Sequence, residues 1–141
     1  MTKTRYALWI GASGVVLGAL WYALQLLFAE TLYTERGSPA YHFAITPLVK
    51  QLPRYAILEG DEAQYSSSSS VPAYDGVSYC TTAVPDQIYR FFGRHFSQRG
   101  FLAEQHEWGQ SYTSRTEQVR LSIADTGICR TQVRLRHYTV H

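Results

Sequence analysis

The first long feature of the chain is an uncharged, mostly apolar stretch from Tyr6 to Ala29. A helix of this length, rising about 1.5 Å per residue, crosses a bilayer core of roughly 30 Å. The stretch is longer than the roughly 7–15 apolar residues of a secretory signal, which favours a retained anchor over a cleaved signal. The pattern predicts a transmembrane helix over residues 6–29, preceded by a short segment of residues 1–5.

Small side chains recur along this stretch at a helical spacing. At about 100° per residue, one narrow face of the predicted helix carries a stripe of mostly small residues, namely Ala7, Gly11, Gly14, Gly18, Tyr22 and Gln25. Small residues let another helix approach closely, although glycine is common enough in membrane helices for the stripe to arise by chance. We expect this face to be a helix-packing surface, with the polar Gln25 available to a neighbouring helix or to that neighbour's cofactor.

Proline, glycine, tyrosine and serine dominate the next segment, residues 30–76, which includes the run Ser66–Ser70. A segment of this composition has little means of forming a core of its own. Pro47 and Pro53 bracket a piece that suits a turn or two of helix. The composition therefore predicts an extended linker over residues 30–76.

Regular periodicity begins at Val77. "VSYCTT" has the composition of a strand, and "VPDQIYRFFGRHFSQRG" places Ile88, Phe91, Phe92 and Phe96 on one helix face. Later, Val119, Leu121 and Ile123 alternate with polar residues, as do residues 129–136. We predict a strand, a helix and a meander of strands over residues 77–141, a two-layer α+β domain that approximates a fragment of a ferredoxin-like fold and follows the N-terminal transmembrane helix.

The run "YCTTAVPDQIYRFFGRHFSQRGF", followed by short alternating strands, resembles a pattern in uncharacterised bacterial membrane-anchored and lipoprotein domains. The likeness covers about residues 53–140 and rests mostly on positions that determine a fold. It departs from the usual pattern at Gly100-Phe101, where Gly-Trp is common. The resemblance implies a small extracytoplasmic α+β module without known chemistry.

Charges beside the apolar stretch predict its orientation. Lys3 and Arg5 precede it, whereas Glu30 and Glu35 follow it, so the positive-inside bias places the N-terminus in the cytoplasm. We therefore expect a single-pass protein of the bacterial inner membrane with a periplasmic C-terminal domain. An oxidising compartment would allow a disulfide between Cys80 and Cys129, but the sequence leaves open whether they are bonded or are two buried thiols.

Motifs for catalysis, metal binding and cofactor binding are absent from the sequence. The five histidines form no close cluster with cysteines, and the single "DTG" at Asp125 lacks the second carboxylate that aspartic proteases need. The serine run has neither a G-x-S-x-G turn nor a partnered base. We expect no catalytic residue, no metal site and no cofactor, and we expect His95 to be a packed, hydrogen-bonded residue on the helix.

Arginines concentrate on the predicted sheet. Alternation would project a set of them from one face, namely Arg120, Arg130, Arg134 and Arg136, to which Arg115 is a possible addition. Like charges on neighbouring strands destabilise a sheet unless something neutralises them. The candidates are the acidic segment of residues 30–75, an acidic protein partner and anionic lipid, while the alternative is a merely solvated face. Nucleic acid is not expected, because the exported part is close to neutral.

Together these features predict a non-catalytic, single-pass accessory or structural subunit of a larger membrane complex. Its partners would be integral membrane proteins and the lipid bilayer, and respiratory and photosynthetic assemblies are candidates by analogy. The striped helix would dock within the membrane, and the domain would cap the complex outside. The alternatives are a self-associating anchor that binds a ligand or an envelope protein, and an extracytoplasmic enzyme.

Overall fold

A computed structural model describes residues 14–25 and 31–140 of the chain. The chain divides into two units, Met1–Glu30 and Thr31–His141. In the first unit, residues 14–25 form an α-helix, α1, whose side chains are exposed. None of the helices in the described part of the chain is both long and apolar enough to cross a membrane.

This finding makes the predicted transmembrane helix over residues 6–29 wrong, and with it the single-pass topology and the inner-membrane location. Of that span, residues 14–25 belong to α1, and residues 6–13 and 26–29 lie outside the described residues. Of the predicted stripe, Ala7 and Gly11 lie outside the described residues. Gly14, Gly18, Tyr22 and Gln25 lie on α1, where a Cβ added at either glycine would meet nothing within 4 Å.

The second unit is built on one seven-stranded antiparallel sheet with the order β1-β2-β3-β7-β6-β5-β4. Its strands are β1 (Thr31–Thr34), β2 (Gln64–Ser68), β3 (Tyr74–Cys80), β4 (Leu102–His106), β5 (Gly109–Thr113), β6 (Glu117–Ala124) and β7 (Gln132–Thr139). Its helices are α2 (Pro39–Ala44), α3 (Pro47–Lys50) and α4 (Pro85–Ser97). The predicted fold class is therefore wrong, because the sheet is larger than a ferredoxin-like fragment of residues 77–141.

The segment predicted as an extended linker accounts for this difference. It supplies β1, α2, α3, β2 and the start of β3. Its serines occupy β2, which is paired with β1 on one side and β3 on the other. Backbone hydrogen bonds to two neighbouring strands hold β2 in place. These bonds do not depend on the side chains, so the serine-rich composition did not predict the strand.

Helices cover one face of the sheet. Ile88, Phe92 and Phe96 of α4 are fully buried against inward residues of the sheet such as Val119 and Leu135. The alternate residues of the same strands point to the opposite face, because side chains in a strand alternate between faces. We call this opposite face the outer face; it holds the arginines of β6 and β7.

A disulfide joins Cys80, the last residue of β3, to Cys129 in the β6–β7 loop, with 6.0 Å between the two Cα atoms. The bond ties the centre of the sheet to the loop that begins after Ala124. The structure thus decides the point that the sequence left open.

Candidate functional site

Three arginines lie on the outer face, on two strands at the centre of the sheet. Arg120 of β6 is directly opposite Arg136 of β7, and Arg136 is opposite Gly76 of β3 on its other side. Arg134, two residues before Arg136, lies between Ser78 and Ser122. The register therefore brings Arg120, Arg134 and Arg136 together.

Aromatic rings lie beside Arg120 and Arg136 and form a continuous row with them, which we call the aromatic stack, although the Tyr74 and Tyr138 rings in it are tilted by 48° to each other. Its members are His106, Trp108, Arg120, Tyr138, Tyr74 and Arg136. The guanidinium carbon of Arg120 lies 5.5 Å from the Trp108 ring centre and 4.6 Å from that of Tyr138. Tyr138 lies 5.9 Å from Tyr74, whose ring centre is 4.9 Å from the guanidinium carbon of Arg136.

The stack explains how two like charges are tolerated in register. A guanidinium over an aromatic face gains about 0.5–1 kcal/mol at an exposed site, which offsets part of the repulsion between Arg120 and Arg136. Side-chain amides orient the arginines further: Arg120 Nε donates to Gln118 Oε1 at 3.0 Å, and Arg134 Nε donates to Gln132 Oε1 at 2.8 Å. The guanidinium planes are thereby ordered before any partner binds.

Carboxylates do not neutralise these charges. Within the described residues, every ion pair closer than 4.0 Å involves a histidine, and none involves an arginine or a lysine. The described acidic residues of the segment 31–75 therefore form no ion pair with the arginines of the outer face, although the strands of that segment belong to the same sheet. An external anion or solvent remains to balance the arginines.

Arg130 and Arg115 lie elsewhere. Arg130 is exposed in the loop before β7, which begins only at Gln132, and Arg115 is exposed in the turn between β5 and β6. The sequence reasoning missed Tyr74, Trp108 and Tyr138. Tyr138 follows Arg136 by two residues, so continuing the same alternation would have found it.

A buried polar cluster lies on the helix-covered side of the same strands. Asp75 Oδ1 lies 2.8 Å from His137 Nδ1, and both side chains are buried. Asp75 Oδ2 accepts from the backbone N–H of Thr46 at 2.7 Å and from its hydroxyl at 2.9 Å. Because Thr46 immediately precedes α3, the carboxylate fastens the short helices to the sheet.

An Asp–His pair activates a serine in hydrolases when the far imidazole nitrogen faces the hydroxyl. Here His137 Nε2 has no hydrogen-bond partner among the described residues, and the acidic Glu117 Oε1 lies 3.6 Å away. The "DTG" aspartate shapes a turn, since Asp125 Oδ1 accepts from the Gly127 backbone N–H at 3.1 Å. Among the described residues, no three histidine, cysteine, aspartate or glutamate side chains are placed so that they could hold a metal ion together.

His95 lies on α4, with its ring centre 5.2 Å from that of Phe96. Its Nε2 is buried and lacks a hydrogen-bond partner within the described residues, contrary to the expectation of a bonded side chain. Burial lowers the pKa of His95 below 6.5, and the positive charge of Arg99 lowers it further.

Acid is therefore expected to weaken the fold through His95. Below about pH 6.5 the unfolded chain takes up a proton that the folded chain resists, so stability falls as the pH drops from that value towards the folded pKa. The variant His95→Gln should flatten this dependence between about pH 7 and pH 5. Urea unfolding of both proteins across that range measures the difference; parallel curves would contradict the expectation.

Comparison with protein-family models, curated proteins and solved structures finds no match for this chain.

Proposed function

We propose that the chain is a non-catalytic binding subunit that attaches to an acidic segment of a partner protein through its outer face. The observation that carries the proposal is the set of ordered arginines without carboxylate partners, Arg120, Arg134 and Arg136. Arginine suits this task because its planar fork of donors matches a carboxylate in a two-bond geometry.

The disulfide favours a protein partner over nucleic acid. Bonds such as Cys80–Cys129 persist in oxidising environments, where nucleic acid is rarely the ligand of a folded domain. The formal net charge of +2 is also small for a protein that binds phosphates along a strand. A protein segment rich in carboxylates meets the local charge of the outer face without requiring a strongly basic chain.

A structural role for Asp75 and His137 supports the non-catalytic part of the proposal. Both are buried, and the two carboxylate oxygens of Asp75 form hydrogen bonds with Thr46 and His137. A carboxylate rather than a hydroxyl faces the remaining imidazole nitrogen, Nε2.

The test uses a short poly-L-glutamate as the acidic probe. The variant Arg120→Ser/Arg134→Ser/Arg136→Ser should bind it at least about tenfold more weakly than the native chain, a change of about 1.4 kcal/mol. Isothermal titration calorimetry measures the affinity, which should also fall as salt is raised, since these charges are largely exposed.

The matched control is Arg90→Ser/Arg94→Ser/Arg99→Ser, which removes the same charge from α4 and its C-terminal end. This control should keep the native affinity within about twofold, because its arginines do not belong to the outer face. Equal losses in both triple variants, or no binding of poly-L-glutamate by the native chain, would overturn the proposal.

Self-association is a second candidate, because the chain carries an acidic loop of its own. Glu59 and Glu62 are exposed before β2, so this loop of one copy matches the charge of the outer face on another. Sedimentation equilibrium distinguishes the two: a dimer that is lost in the outer-face variant and kept in the α4 variant favours self-association over a foreign partner.

A further inference from the structure

We infer that a cavity on the outer face holds a carboxylate of the partner and so selects acidic residues at alternate positions of an extended segment. This inference rests on the proposed function. The cavity measures about 280 Å³. Prominent among its lining residues are Tyr33, Ser66, Tyr74, Ser78, Arg134 and Arg136. We call it the Gly76 cavity, after the residue of β3 between Ser66 and Arg136 in register.

Small residues create the space. Gly76 is buried, and a Cβ built on it would overlap the Leu135 carbonyl oxygen of the neighbouring strand. Its place in the outward row between Ser66 and Arg136 is therefore bare of side chain. Ser78, the next outward residue of β3, is also short, and it is half-buried and lines the cavity, so a partner side chain can approach the sheet at Ser78.

The walls of the cavity consist largely of hydrogen-bond donors. Arg134 and Arg136 supply guanidinium N–H groups, and further donors come from serine and tyrosine hydroxyls and from the side-chain amides of Gln64 and Gln132. None of the described residues that line it is an aspartate or a glutamate. A cavity rich in donors and free of acids is complementary to an acceptor-only anion, which a carboxylate is at neutral pH.

Both arginines are held in place before binding. The Tyr74 ring lies under the guanidinium of Arg136, and Gln132 accepts from Arg134 Nε. Ordering these long side chains in advance lowers the entropy that binding must supply. The cavity is thus preorganised for its anion.

Strand geometry sets the spacing of the carboxylates. Arg134 and Arg136 are two residues apart on β7 and so lie about 6.6 Å apart along the strand, at about 3.3 Å per residue. Side chains at alternate positions of an extended partner have the same separation. Glutamates at every second position can therefore meet both arginines at once, whereas adjacent glutamates point to opposite sides.

The experiment compares two synthetic peptides of equal length and composition, one alternating glutamate and serine, the other with its glutamates in adjacent pairs. We expect the alternating peptide to bind at least about fivefold more tightly, because its glutamates can form charge-assisted contacts with Arg134 and Arg136 at the same time, whereas paired glutamates cannot. Equal affinities would overturn the spacing inference, because the two peptides differ only in the positions of their glutamates.

Filling the cavity provides the variant test. Ser66→Leu/Ser78→Leu replaces two short lining residues by bulky ones and should weaken binding of the alternating peptide about tenfold. The control is Ser97→Leu, at an exposed position of α4 away from the outer face, which should retain native affinity. Thermal melting shows whether each variant is folded.

A measurement on the native chain does not depend on the variants folding. On titration with the alternating peptide, the amide NMR signals of Ser66, Gly76 and Ser78 should move, whereas that of Gly127 in the β6–β7 loop should not. Unmoved signals, or native affinity in the filled variant, would overturn the cavity inference. The proposed function is tested separately, by the binding of poly-L-glutamate to the native chain and to the two triple arginine variants.

Discussion

Replacing Cys80 and Cys129 together by serine is expected to lower the free energy of unfolding by about 4 kcal/mol. The bond closes a loop between residues 49 positions apart, so its loss restores conformational freedom to the unfolded chain. Because domains of this size are stable by only about 5–15 kcal/mol, the change should be visible as a large drop in the urea midpoint.

Reduction of the native chain with a thiol reagent is the matching control, since it removes the bond without changing any other side chain. It should reproduce most of the loss seen in the double variant. A loss below about 1 kcal/mol in both experiments would show that the bond does not constrain the unfolded chain as the loop length predicts.

The second large effect is expected at Asp75, where Asp75→Ala should cost about 3–5 kcal/mol. The substitution removes the acceptor of the Thr46 backbone N–H and hydroxyl and the partner of His137 Nδ1, all within a largely buried cluster. Buried groups that lose a partner keep their desolvation cost, which makes the loss larger than that of an exposed hydrogen bond. Chemical unfolding measures the change.

Thr46→Val is the control for this cluster, because it removes one hydroxyl and retains the backbone N–H that donates to Asp75 Oδ2. It should cost only about 1 kcal/mol. The double variant Asp75→Val/His137→Leu should lose less than the sum of its single variants, since neither partner is then left buried and alone. Strict additivity would argue against the pair as a coupled unit.

Local periodicity located part of the binding face. Alternation in residues 119–123 and 133–136 separated the inward Val119, Leu121 and Leu135 from the outward Arg120 and Arg136. The same alternation wrongly added Arg130 to the arginines of the outer face, because Arg130 lies in a loop whose residues happen to alternate as those of a strand do. The rings of the aromatic stack come from several strands and a turn, so no local sequence pattern predicts that they meet.

Composition misled the prediction elsewhere. An uncharged N-terminal stretch indicated a membrane span, yet the described part of the chain holds no helix suited to one. The serine run indicated a linker, yet Ser66–Ser68 form part of a strand held between β1 and β3. Serine says little about strand formation when two neighbouring strands supply the hydrogen bonds.

The sequence by itself determined α4 and the two faces of β6 and β7, because an apolar period of about 3.6 residues for a helix, or about 2 residues for a strand, can be recognised within a few consecutive residues. Only the tertiary structure decided that β1 and β2 complete the sheet, that Cys80 meets Cys129, and that Asp75 meets His137 across 62 positions of sequence. Those contacts depend on the register between distant segments, and register is set by the packing of the whole sheet.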